Sequence, residues 1–191
     1  MPVASYLLLK GKCRHCGHSI GALPILIELA AALIGALPLL LIPVSPAVAA
    51  SLFGWLLLPL VVLDHRHFWL PNRLVLLLAV MGFLVGPMLA PGIAVADRVG
   101  GVAVGFLSLE IVRHAYKKFR QVDGMGAGDP KLFGALGVWL GWQALPIILL
   151  GASAIGLIFI VMTGRMESQS RTAFPFGSYL GVAAFLAALT G

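Results

Sequence analysis

The stretch Gly124-Met125-Gly126-Ala127-Gly128-Asp129-Pro130-Lys131 follows a basic loop that holds Lys117, Lys118 and Arg120, and it leads into a long apolar segment that begins at Leu132. It decides the fold because it plants a carboxylate at the edge of a run that otherwise suits lipid. A charge at a membrane boundary is expensive without a partner, so an aspartate there is a functional-site candidate by default. The same argument selects Asp64, which ends another apolar run and precedes His65-Arg66-His67-Phe68-Trp69-Leu70-Pro71-Asn72.

Composition sets the frame. Of 191 residues 60% are hydrophobic and 10% charged, with a mean hydropathy of +1.03. These values exclude a soluble domain and predict an all-α, polytopic transmembrane helical bundle. No polar stretch approaches the roughly 50 residues of a separate domain. The chain divides into an N-terminal segment, 1–21, and a membrane domain, 22–191. No cleavable signal peptide is expected, because the short apolar run at 2–9 precedes Lys10, Lys12 and Arg14 instead of following them. The net charge of +6 does not indicate nucleic acid, since the basic residues sit where loops meet the membrane.

A crossing takes about 20 apolar residues. Runs punctuated by Pro, Gly and charge predict about seven spans, near 22–43, 46–63, 71–90, 96–116, 129–143, 145–164 and 172–191; the fifth is short and suits a half-buried helix. Twelve of the 13 Lys and Arg residues fall in loops on one side, and only Arg98 on the other. Excess Lys and Arg mark the cytoplasmic side. The N-terminus and both Asp64 and Asp129 are therefore expected at the cytoplasmic face, and the C-terminus outside.

The other polar motifs allow more than one reading. Cys13 and Cys16 form a C-x-x-C with His15 and His18 beside it. A structural zinc site needs four ligands, of which one C-x-x-C supplies two and His15 or His18 a third, so a partial zinc site and a free thiol pair both stand. Glu28 reads as a structural carboxylate bonded to another helix, and Glu110 as the i,i+3 partner of Arg113. His65 and His67 are metal-ligand candidates, but an H-x-H pair beside Phe68 and Trp69 reads better as interfacial anchoring, with Phe68 and Trp69 as residues of the aromatic belt. Pro71 suits the first turn of the third helix. Gly124, Gly126 and Gly128 permit unusual backbone and close approach, which suits an extended peptide held against Asp129.

Two carboxylates on one side support peptide hydrolysis. One, ionised, takes a proton from water while the other, protonated, polarises the scissile carbonyl. Brought to about 3 Å they share a proton and titrate as a pair. A second reading is a small transporter that relays protons or binds a cation through Asp64, Asp129 and Glu28. A third is a catalytically idle assembly partner.

Four segments resemble the type IV prepilin peptidases, the GxGD intramembrane aspartyl proteases. Gly124 to Leu132 is similar to the signature G-M-G-x-G-D-x-K-L, with Pro130 at the variable position. Asp64 followed by Leu70-Pro71-Asn72 is similar to the family's other aspartate, although Arg66 stands where a second acidic residue is frequent. Lys10 to Cys16 with Pro24 to Leu29 resembles the second cysteine pair and the helix after it. Phe174 to Leu180 resembles P-F-G-P-[FY]-L, with Ser178 in place of the second proline. The resemblance implies removal of the basic leader from prepilins or pseudopilins at the cytoplasmic face of the bacterial inner membrane. It implies Asp64 and Asp129 as the catalytic pair, no cofactor for proteolysis, and Gly126, Gly128 and Lys131 along the substrate path. Lipid is the other expected contact. Many members methylate the new N-terminus with S-adenosylmethionine and have a further N-terminal helix and C-x-x-C. These 191 residues contain neither segment, so methyl transfer and a complete zinc site at Cys13 and Cys16 are not carried over.

Overall fold

The computed structural model describes residues 6, 9, 11–121, 125–163 and 175–190. Lys10, Asp123, Gly124, Arg165, Arg171 and Phe174, which enter the charge count or the motifs, lie outside them. Six helices follow one another among the described residues: α1 (Leu23–Leu41), α2 (Val44–His67), α3 (Asn72–Leu89), α4 (Val95–Arg120), α5 (Asp129–Thr163) and α6 (Phe176–Thr190). Ahead of them Lys12 and Ser19 pair across a small turn. Four of the helices, α1, α2, α3 and α5, are long and apolar enough to cross a membrane.

The fifth and sixth predicted spans are the two arms of α5. Gly141 interrupts it at φ 74, ψ 169, a conformation reserved almost entirely for glycine. The interruption is a reversal. Asp129, at the start of α5, meets Asp64 beside Gly177, while Phe159, in the far arm, meets His65 edge to face with ring centroids 6.4 Å apart. A straight helix would carry Phe159 roughly 45 Å from Asp129 at 1.5 Å per residue, so both reach the same end of α2 only because the helix doubles back. The first arm, 129–140, is shorter than the roughly 20 residues of a full crossing.

That arm is the centre of the bundle. Leu132, Leu136, Val138 and Trp139 are wholly buried, as expected of a helix that is hydrophobic all round. Trp139 stacks on Phe53 of α2 at 4.7 Å and donates its Nε1 proton to Leu78 O of α3 at 2.8 Å, which satisfies its one polar group. On the opposite flank α4 comes to backbone contact: a methyl at Gly101 would fall on the backbone of Gly137, and one at Gly105 would lie 2.7 Å from Phe133 O. Small residues permit such approach between membrane helices.

α4 forms over the fourth predicted interval but is too charged to count among the apolar spans, and its first turn corrects the reading of Arg98. That residue is not a loop charge. It is 1% exposed, and its Nη1 donates to Val138 O at 2.8 Å and Trp139 O at 2.9 Å, its Nη2 to Gly86 O at 3.0 Å and Ala90 O at 2.6 Å. The last turn of a helix leaves carbonyls without intrahelical donors. Arg98 serves two such ends at once, that of α3 and that of the first arm of α5, so the forked guanidinium ties the bundle where the chain reverses.

Candidate active site

α2 stops just past Asp64 because Phe68 turns left-handed, φ 51 and ψ 35, and its N–H returns to Asp64 O at 2.9 Å. A left-handed non-glycine residue of this bulk is held there at a cost of about 1 kcal/mol. The chain then runs through exposed Trp69 and buried Leu70 to Pro71, whose extended backbone caps α3 instead of entering its first turn. Asp129 opens α5, with its N–H on Gly126 O at 3.2 Å and Leu132 N–H on Gly128 O at 2.9 Å. Gly128 sits hard against Leu70, where a methyl would lie 2.6 Å from Leu70 Cβ. The two loops are thereby locked together.

The third contributor is the start of α6. Asp64 Oδ2 accepts the Ser178 N–H at 2.6 Å and bonds Ser178 Oγ at 2.9 Å; that hydroxyl also lies 3.0 Å from Val61 O. Free N–H groups at a helix N-terminus suit carboxylates. The backbone N–H groups of Gly126 and Gly177 serve Asp129 in the same way. A methyl group at Gly177 would lie 2.9 Å from Asp129 Oδ1 and 3.1 Å from Asp64 Cγ. The two carboxylates therefore flank one point, in one site. They are 2% and 5% exposed, and among the described residues neither is in an ion pair.

Beside them opens a cleft of about 360 Å³. Its lining includes both aspartates, Phe68, Trp69, the backbone of Gly126 to Gly128, and Lys131, whose Nζ donates to Asn72 Oδ1 at 2.9 Å. Five of the residues singled out in the sequence, Asp64, Asp129, Gly126, Gly128 and Lys131, thus share one place. Cys13 and Cys16 lie apart from it, in a knuckle closed by Gly17 N–H on Cys13 O at 2.9 Å and Cys13 N–H on His18 O at 2.8 Å. The backbone N–H groups of Cys16 and then His15 hold the Cys13 thiol below its ordinary value. Among the described residues no three His, Cys, Asp or Glu side chains gather as a metal site, so the thiol pair has no third ligand here and does not make a zinc site by itself.

Glu110 pairs with Arg113 at 3.0 Å, as its spacing requires. Glu28, read as bonded to another helix, has its Oε2 buried without a hydrogen-bond partner among the described residues. Gly177 entered the sequence reading only through the resemblance, and Ser178 only as a departure from it. Their signal was a proline two residues ahead of a small residue at a helix start, which identifies a cap but not what it caps.

The type IV leader peptidase family model matches residues 51–161, and that of the bacterial peptidase A24 N-terminal domain matches 1–42. Proteins named prepilin leader peptidase/N-methyltransferase align with the whole chain. The one from Aeromonas salmonicida is 40% identical over 194 residues, that from Aeromonas hydrophila 39% over 194 and that from Pseudomonas aeruginosa 37% over 193. The chain spans 66% of the length of each of these curated relatives. No solved structure matches it. With a family match running across both aspartate segments and relatives aligned from end to end, the chain belongs to the type IV leader peptidase family.

Proposed function

We propose that the chain is an intramembrane aspartyl endopeptidase that removes the leader of type IV prepilins or pseudopilins at the cytoplasmic face of the bacterial inner membrane. The observation that carries this reading is the convergence of Asp64 and Asp129 on Gly177, both buried and without a counter-cation among the described residues. A transporter carboxylate belongs near the membrane midplane, whereas these two stand at helix ends, on the side where the helix ends carry Arg66, Arg73, Lys117, Lys118 and Lys131. In this reading 1–21 is a cytoplasmic appendage and 22–191 the peptidase domain.

The chemistry follows from two carboxyl groups that share one proton. The ionised one takes a proton from water as the water oxygen bonds to the scissile carbonyl carbon, and the protonated one gives its proton to the carbonyl oxygen. The resulting gem-diol collapses: the C–N bond breaks, the amide nitrogen leaves with the proton first taken from water, and a diol hydroxyl returns a proton to the second carboxyl. Acid, amine and the original pair result, with no covalent enzyme intermediate. Gly126 and Gly128 offer a bare backbone along which an extended substrate lies, and Lys131, braced by Asn72, supplies positive charge at the mouth of the cleft. A zinc ion held at this segment would take two of its four ligands from Cys13 and Cys16. No step of proteolysis passes through zinc or S-adenosylmethionine.

The test is to incubate the purified protein in detergent with a prepilin and read product masses. A single cut between basic leader and apolar segment is expected. An intact prepilin, together with proton or cation flux in reconstituted vesicles, would replace this reading with the transporter.

A further inference from the structure

Two non-glycine residues among those described have positive φ, Phe68 and Gln121. Gln121 is an exposed polar residue ending α4, where nothing further is asked of it. Phe68 is different, because a helix ending of this kind favours glycine and a bulky aromatic there is an outlier that invites a functional explanation. Packing does not provide one. The Phe68 side chain is 51% exposed and its neighbour Trp69 61% exposed, so neither ring is spent on the core. Both line the cleft that holds Asp64 and Asp129, together with exposed Gly126 and Ala127. An extended peptide needs both kinds of lining: main chain to bond and an apolar surface to take an alternate side chain.

We propose that Phe68, set over the aspartate cleft by its left-handed backbone, is a specificity-determining residue that with Trp69 grips an apolar side chain beside the bond to be cut. The inference rests on the peptidase reading and adds the feature of the substrate that the site selects. The left-handed turn places the ring; a glycine would make the turn with less strain and leave the cleft without its lip.

The test separates the two readings. A fluorescein-labelled synthetic peptide spanning the leader junction is bound to the Asp64→Asn/Asp129→Asn variant, so that affinity is measured without cleavage. Introducing Phe68→Gly is expected to raise Kd about tenfold, the scale of one lost apolar contact in a pocket, while the thermal midpoint stays level or rises because strain is relieved. Phe68→Tyr should keep the wild-type affinity. Replacing the apolar residue at the junction with serine should cost the same factor against Phe68 and nothing further against Phe68→Gly, since the pair acts as one contact. Unchanged affinity in Phe68→Gly, or independent losses from the two changes, would overturn the proposal. With the aspartates restored, a peptide held through Phe68 but never cut would remove the peptidase reading and leave the grip. Cleavage with Kd and KM indifferent to Phe68 would do the reverse.

Discussion

Gly177 is the position from which both carboxylates are touched at once, and it has no side chain because there is no room for one. A methyl there meets Asp129 Oδ1 at 2.9 Å and Asp64 Cγ at 3.1 Å, so Gly177→Ala must push the pair apart. A displacement of about 1 Å in reacting groups costs on the order of 100-fold in rate. The expected outcome is a loss of that order in kcat with KM little changed, measured on a prepilin peptide. Ser178→Ala removes one bond to Asp64 and leaves the backbone N–H, and should cost only about 1 kcal/mol in stability. At the other end of the chain, Cys13 should alkylate with a pH midpoint below the ordinary thiol value, because the N–H groups of Cys16 and His15 favour its thiolate; site-resolved mass spectrometry of iodoacetamide labelling across pH reads this directly. Both aspartates were legible in the sequence, since a carboxylate at the edge of an apolar run requires an explanation. Ser178 was not, because its contact with Asp64 spans 114 positions and no local pattern encodes it.

At the scale of elements, the apolar intervals predicted the helices well, for hydropathy and punctuation act locally. The reversal inside α5 was legible only as a break near 144. Its cause, Gly141, is one of 23 glycines, and sequence alone does not single it out as the one that interrupts a helix at positive φ. Gly141→Ala places a side chain in that conformation and should destabilise the fold by about 1–3 kcal/mol. Arg98 is the larger effect. Arg98→Leu removes the guanidinium from three buried bonds and one partly buried bond to carbonyls, leaving Val138 O and Trp139 O without it while Gly86 O and Ala90 O keep backbone donors, and should cost about 3 kcal/mol, with Arg98→Lys only a partial remedy because a point charge does not reproduce the fork. Thermal unfolding in detergent distinguishes the three. Reading Arg98 as a loop charge failed because charge counting cannot see the carbonyls that a distant helix break brings to it.

For the whole molecule, orientation and catalysis make one connected claim. Asp64 and Asp129 lie at the end of the bundle where Arg66, Arg73, Lys117, Lys118 and Lys131 are found, and excess Lys and Arg mark the cytoplasmic side. With Cys13 and Cys16 replaced by serine, Lys118→Cys should resist an impermeant maleimide in intact cells and react once they are opened. Gly92→Cys, in the open turn between α3 and α4, should react in intact cells; the opposite pattern would invert the topology. The most direct measurement of the central claim is cleavage of a prepilin by the purified protein with Asp64→Asn and with Asp129→Asn, each checked for folding by thermal unfolding. If the pair acts as one unit, either change alone abolishes cleavage and the double variant loses nothing more. Full cleavage by a folded single variant would contradict the account.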